Sequence, residues 1–167
     1  GQNSAEHIRE KYGERANAGE SRRVLSEMGS ALGFAFNFTP ESRIWNTFDA
    51  HRLLVWARRE GGGPTQAMAL KEALMRAHFQ RAENISDFDI LAWLATEAGL
   101  PGEEAWAVLR GGAFGPEVRA LERRWAEAGV TAVPSVIFEG RWMVQGGQPP
   151  QAFAGALRQV AAMMRLE

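Results

Sequence analysis

The chain has 167 residues, 46% of them hydrophobic, which suits one compact domain or one domain carrying a sizeable insertion. Nineteen basic residues nearly balance twenty acidic ones, and the Arg residues alternate with Glu rather than clustering, so no basic surface points to nucleic acid. No apolar run approaches the ~18 residues of a membrane span. Cysteine is absent, which excludes disulfides within the chain and makes a structural zinc site a poor fit.

The opening GQNSAEHIREKYG has Gly in place of Met, is polar and carries no signal-peptide pattern. It reads like the interior of a gene product, so the expectation is that a preceding segment has been removed. No compartment can be read from it, and the cytoplasm is the working assumption.

Ser4 precedes a short polar helix holding Ile8 and Tyr12. Ser21 is placed to cap a helix whose apolar face is Val24, Leu25, Met28, Ala31 and Leu32, with Gly33 as its stop. Phe34-Ala35-Phe36-Asn37-Phe38 alternates large and small residues before Thr39-Pro40, and reads as an extended linker. Asn46 or Thr47 caps a helix that runs to about Arg59 and ends at Gly61-Gly62-Gly63-Pro64. Thr65 is the expected cap of the next, with Met68, Met75 and Phe79 along one face. Ser86 or Asp87 opens a further helix with Phe88, Leu91, Leu94, Ala95 and Ala98 inward and Gly99 at its end. A short helix near Glu103 to Arg110 comes next. Phe114, Val118, Leu121, Trp125 and Ala128 then form a single stripe closed by Gly129.

Beyond Gly129 the period changes. Ser135-Val136-Ile137-Phe138, the turn Glu139-Gly140-Arg141 and Trp142-Met143-Val144 read as a β-hairpin. Gly146-Gly147 and Pro149-Pro150 break the chain before a last helix with Phe153, Leu157, Val160 and Met164 inward. The division expected is a helical insertion domain over 1–128 and a second part over 129–167. A two-stranded sheet alone is marginal in water, and the sequence offers no other convincing strands. Its open edge therefore calls for further strands, or for a second copy in a homodimer.

The segment Gly129 to Gly140, GVTAVPSVIFEG, resembles the end of a thioredoxin-like domain, where a helix leads through a proline loop to a hairpin and a closing helix. QGGQPPQAF (145–153) and NTFDAHRL (46–53) resemble the DsbA/FrnE branch of thiol–disulfide oxidoreductases. Together the three pieces span the chain in order. The resemblance implies an α/β thioredoxin-like fold, of which this chain is the C-terminal portion: a largely helical insertion, a β-hairpin and a C-terminal helix. The family's Cys-x-x-Cys unit is absent, so no catalytic residue is present and the chain by itself is expected to be inactive. Thiol–disulfide exchange needs a thiolate, and methionine cannot stand in for one.

Pattern alone makes Pro134 an ordinary trans residue ahead of a strand. The resemblance implies instead a cis Val133–Pro134 bond facing the reactive cysteines, with the Val133 main chain free to pair with an extended substrate. On the same basis Asn46, Thr47 and His51 line the cleft, His51 as a polar or proton-handling contact. The plainer reading makes Asn46 or Thr47 a helix cap and His51 a partly buried structural residue. His7 and His78 read as surface or packing residues, and no His has metal-ligand spacing. Trp45, Trp56, Trp93, Met68, Met75 and Phe79 read as core, with a peptide groove as the alternative.

The expected partner is a protein or small-molecule thiol or disulfide, with no cofactor, no nucleic acid and no membrane. Two other functions remain open: a glutathione-using enzyme of the 2-hydroxychromene-2-carboxylate isomerase or kappa-class transferase type, and a non-catalytic helical binding module. An upstream Cys-x-x-Cys would favour the first reading and a lone Ser the isomerase.

Overall fold

The computed structural model describes residues 1–13 and 18–165, without the side chains of Tyr12 and Ala18. Two compact units divide at Gly1–Val118 and Arg119–Glu167, ten residues before the division drawn from sequence.

The first unit begins with β1 (Gln2–Asn3), α1 (Ser4–Tyr12), α2 (Ala18–Ala31) and β2 (Arg43–Ile44). Antiparallel β1 and β2 pair Gln2 with Ile44 and Asn3 with Arg43. This ladder corrects the expectation of an all-helical block lacking further strands. Two residues per strand are too few to show an alternating pattern, and the partners lie far apart in sequence. Asn3 caps α1 by accepting from the amides of Ala5 and Glu6. Ser21 is not a cap, because α2 already begins at Ala18. Its face fails to close as well: Val24, Leu25, Met28 and Leu32 are all exposed, Leu32 at 85%.

The Phe-rich segment is irregular, as expected, and its alternation has a partner. Phe36 stacks on Phe38 at 5.2 Å between ring centroids and meets Phe79 edge-on, also at 5.2 Å. The Asn37 amide donates to the Phe79 carbonyl at 2.8 Å. Even-numbered side chains of this extended run share one side, so Phe36 and Phe38 both gather on Phe79.

Four helices supply the core: α3 (Phe48–Arg59), α4 (Pro64–Phe79), α5 (Phe88–Glu97) and α6 (Gly102–Gly111). α3 packs on α4 and α6, and α5 on the same two. Leu53, Leu70, Leu91 and Leu94 are fully buried among Trp56, Ala77, Ala95 and Leu109. Each such leucine contributes about 1.5–3 kcal/mol by leaving water. Asp87 caps α5 through its side chain, accepting from the amides of Asp89 and Ile90. Thr65 does not cap α4: the helix starts at Pro64, whose fixed φ suits a first helical position. Its buried face is Leu70, Ala73, Leu74 and Ala77, while Met68 and Met75 are exposed. Trp93 is exposed too, so of the aromatic and Met set read as core only Trp56 is fully buried. The period of α4 admits either stripe, and the one that is buried is Leu70, Ala73, Leu74 and Ala77.

Helix α7 (Gly115–Glu127) carries the chain into the second unit, which holds β3 (Ser135–Phe138), β4 (Trp142–Gln145) and α8 (Pro150–Met164). Of the α7 stripe only Val118 is buried, whereas Leu121 and Trp125 stay exposed, as does Leu157 on α8. β3 and β4 pair antiparallel with Ser135 opposite Gln145 and Phe138 opposite Trp142. Their turn places Glu139 at φ 49° and Gly140 at φ 67°, and the Arg141 amide donates to Phe138 O at 3.0 Å. No helix among the described residues is long and apolar enough to cross a membrane.

Candidate functional site: the Val133–Pro134 loop

α7 ends in a double hydrogen bond that sets the direction of the following loop. The Gly129 amide donates to Ala126 O and the Val130 amide to Trp125 O, both at 3.0 Å. This is a Schellman closure, and it requires the left-handed backbone that Gly129 adopts at φ 83°. The loop from Val130 then reaches β3 through a cis Val133–Pro134 peptide.

Three groups hold the loop in place. The Gln145 Oε1 accepts from the amides of Thr131 at 2.8 Å and Ala132 at 3.0 Å, while its Nε2 donates to Gly129 O at 3.1 Å. Ser135 Oγ donates to Ala132 O at 2.6 Å. The Gly146 amide donates to Pro134 O at 2.8 Å, from a residue at φ 81° that a larger side chain would strain. Between these fixed points Val133 stands 87% exposed. Neither its N–H nor its C=O has a hydrogen-bond partner among the described residues. Exposed, unpaired main chain is what a docking strand needs.

The other residues singled out from sequence gather at the start of α3, in the first unit. Thr47 occupies the cap position but makes no side-chain cap bond. Asn46 supplies it instead, its Oδ1 accepting from the Phe48 amide at 2.9 Å. His51 donates its amide to Thr47 O at 3.0 Å. Its side chain is exposed, which corrects the partly buried reading. It sits one position past Ala50, off the Ala50–Leu53–Ala57 stripe that faces the core.

Three features escaped the sequence reading. Gln145 opens the QGGQPPQAF stretch, but its hold on the loop gave no signal, because that depends on hairpin register. Arg52, only 3% exposed, was hidden inside an apolar run. A cavity of about 570 Å3 in the first unit is lined by Arg22, Leu25, Phe38, Trp45 and His78, among others, which come from scattered segments. Arg22 there donates to Thr39 O at 3.1 Å. His78, the packing residue expected, has a buried Nδ1 with no hydrogen-bond partner, and burial lowers its pKa below 6.5. Among the described residues no group of three His, Asp or Glu side chains is placed to hold a metal.

A proline loop between a helix and a two-stranded ribbon, closed by a last helix, defines the C-terminal half of a thioredoxin-like fold. The DSBA-like thioredoxin domain matches residues 10–158, and the chain belongs to that family. A crystal structure of a probable DsbA oxidoreductase from Streptomyces coelicolor has a TM-score of 0.77 to this chain at 35% identity, covering 93% of it and 65% of the Streptomyces protein. YwbO, an uncharacterized protein of Bacillus subtilis, is 35% identical over 85 residues, half of this chain and 42% of YwbO. The chain thus spans less than two thirds of either relative's length.

Proposed function

We propose that this chain forms the substrate-facing and cleft-shaping part of a thiol–disulfide oxidoreductase of the DsbA/FrnE type. The observation that carries the reading is the clasped loop that leaves Val133 exposed and its main chain unpaired in a DSBA-like chain. The chemistry divides accordingly. Exchange requires a thiolate to attack a disulfide sulfur, with the leaving sulfur departing as a new thiolate. No cysteine lies within the 167 residues, so the sulfur pair comes from elsewhere in the protein. Val133 offers an N–H and a C=O to an extended substrate segment, holding its disulfide in line for attack. Within the first unit, Asn46, Thr47 and His51 at the start of α3 are polar groups for contact with a thiol or disulfide substrate. No cofactor is required.

The test is reduction of insulin disulfides by dithiothreitol, followed as turbidity. The product of the whole gene is expected to accelerate the reaction, and the 167-residue chain to leave it at the uncatalysed rate. Acceleration by the chain itself would overturn the division of labour. A whole-gene product that is inert here but isomerises 2-hydroxychromene-2-carboxylate with glutathione would establish the isomerase reading instead.

A further inference from the structure

We infer that Gln145 is the positioning residue of the Val133–Pro134 loop, an inference that rests on the substrate-facing reading of that loop. One side chain at the end of β4 engages three consecutive parts of the loop. Its carbonyl oxygen takes the amides of Thr131 and Ala132, at 2.8 and 3.0 Å, and lies 3.5 Å from Ser135 Oγ. Its amide nitrogen reaches back to Gly129 O at 3.1 Å. Those partners lie 10 to 16 residues away in the chain, so Gln145 ties the helix end, the loop and the strand start together.

The division of its two ends is specific. An acceptor is needed for two converging N–H groups, and a donor for one carbonyl. Ordering Thr131 and Ala132 fixes the two residues before Val133. Because the Val133 main chain makes no internal bond, its direction is set by these neighbours and by the Gly146–Pro134 bond beyond it. Gln145 touches no reacting atom in this scheme; it acts through Val133.

The side-chain chemistry gives a graded test on the full chain. In Gln145→Leu both ends are lost, and amide hydrogen exchange at Thr131 and Ala132 is expected to speed up by roughly tenfold. Gln145→Glu keeps the acceptor and loses the donor, so protection at these two amides should be retained. In both variants the ladder amides of β3 and β4 should exchange as in the parent. The probe for the substrate side is an end-capped eight-residue peptide of alternating Thr and Val. Its affinity should fall about fivefold or more in Gln145→Leu and recover in Gln145→Glu.

Unchanged exchange at Thr131 and Ala132 in Gln145→Leu would overturn the inference. So would equal acceleration throughout the hairpin, which marks a residue that merely stabilises the fold. If the parent chain does not bind the peptide, the substrate-facing reading fails. The exchange data then still decide whether Gln145 orders the loop.

Discussion

Arg52 donates from all three guanidinium nitrogens. Nε reaches Ala113 O at 2.8 Å, Nη1 reaches Asp49 Oδ1 at 2.6 Å, and Nη2 reaches Val108 O. Val108 lies in the last turn of α6, where carbonyls have no partner within the helix. A cation buried among carbonyl dipoles at a helix C-terminus replaces water that cannot enter. Arg52→Met keeps the bulk and abandons these oxygens, and is expected to cost about 2–4 kcal/mol in urea denaturation. A loss under about 0.5 kcal/mol, the level of an ordinary surface change, would show that the network is not needed. His78 makes a prediction of opposite kind. Its folded-state pKa is lowered by burial from 6.5, so the unfolded chain takes up the proton first as pH falls. Stability is full above that value and declines below it until the folded-state pKa is passed. Comparing urea midpoints at roughly pH 8 and pH 5 should show a larger fall for the parent than for His78→Gln. Parallel falls would place the acid sensitivity elsewhere.

Among the elements, legibility followed length and local chemistry. α5 carries an Asp87 cap and the run Leu91, Leu94, Ala95, all of which lie where the period puts them. The hairpin was legible because its turn chemistry and its two apolar runs agree. β1 and β2 were not, since two polar residues pairing with a distant partner leave no period to read. α2 and α7 mislead for the reverse reason: both have a good apolar stripe, and only Val118 of α7 is buried along either. Periodicity reports which face is apolar, whereas burial depends on what covers it. The proline loop was legible only through resemblance, as its hold on Gln145 depends on strand register. Gly129 tests the helix end that launches that loop. Its φ of 83° is costly for a side chain, so Gly129→Ala should destabilise by about 1–2 kcal/mol in thermal unfolding. An unchanged midpoint would mean that the closure of α7 adapts without strain.

At the scale of the molecule, the residues singled out for function fall into two groups, one in each compact unit. Asn46, Thr47 and His51 start α3, and Val133 and Pro134 precede β3. The first unit has a core of its own in α3 to α6, and the second is thin, with Val160 as its buried α8 residue. Such a thin unit gains most from an additional strand along the β-ribbon edge, which fits a role in holding extended chain. The most direct measurement is a nitrogen-15 amide NMR titration of the chain with the end-capped Thr/Val peptide. Shifts are predicted to concentrate at Ala132, Val133 and Ser135, with the amides of α5 unmoved. Shifts absent from that loop, or gathered on the open face of α2 instead, would contradict the account.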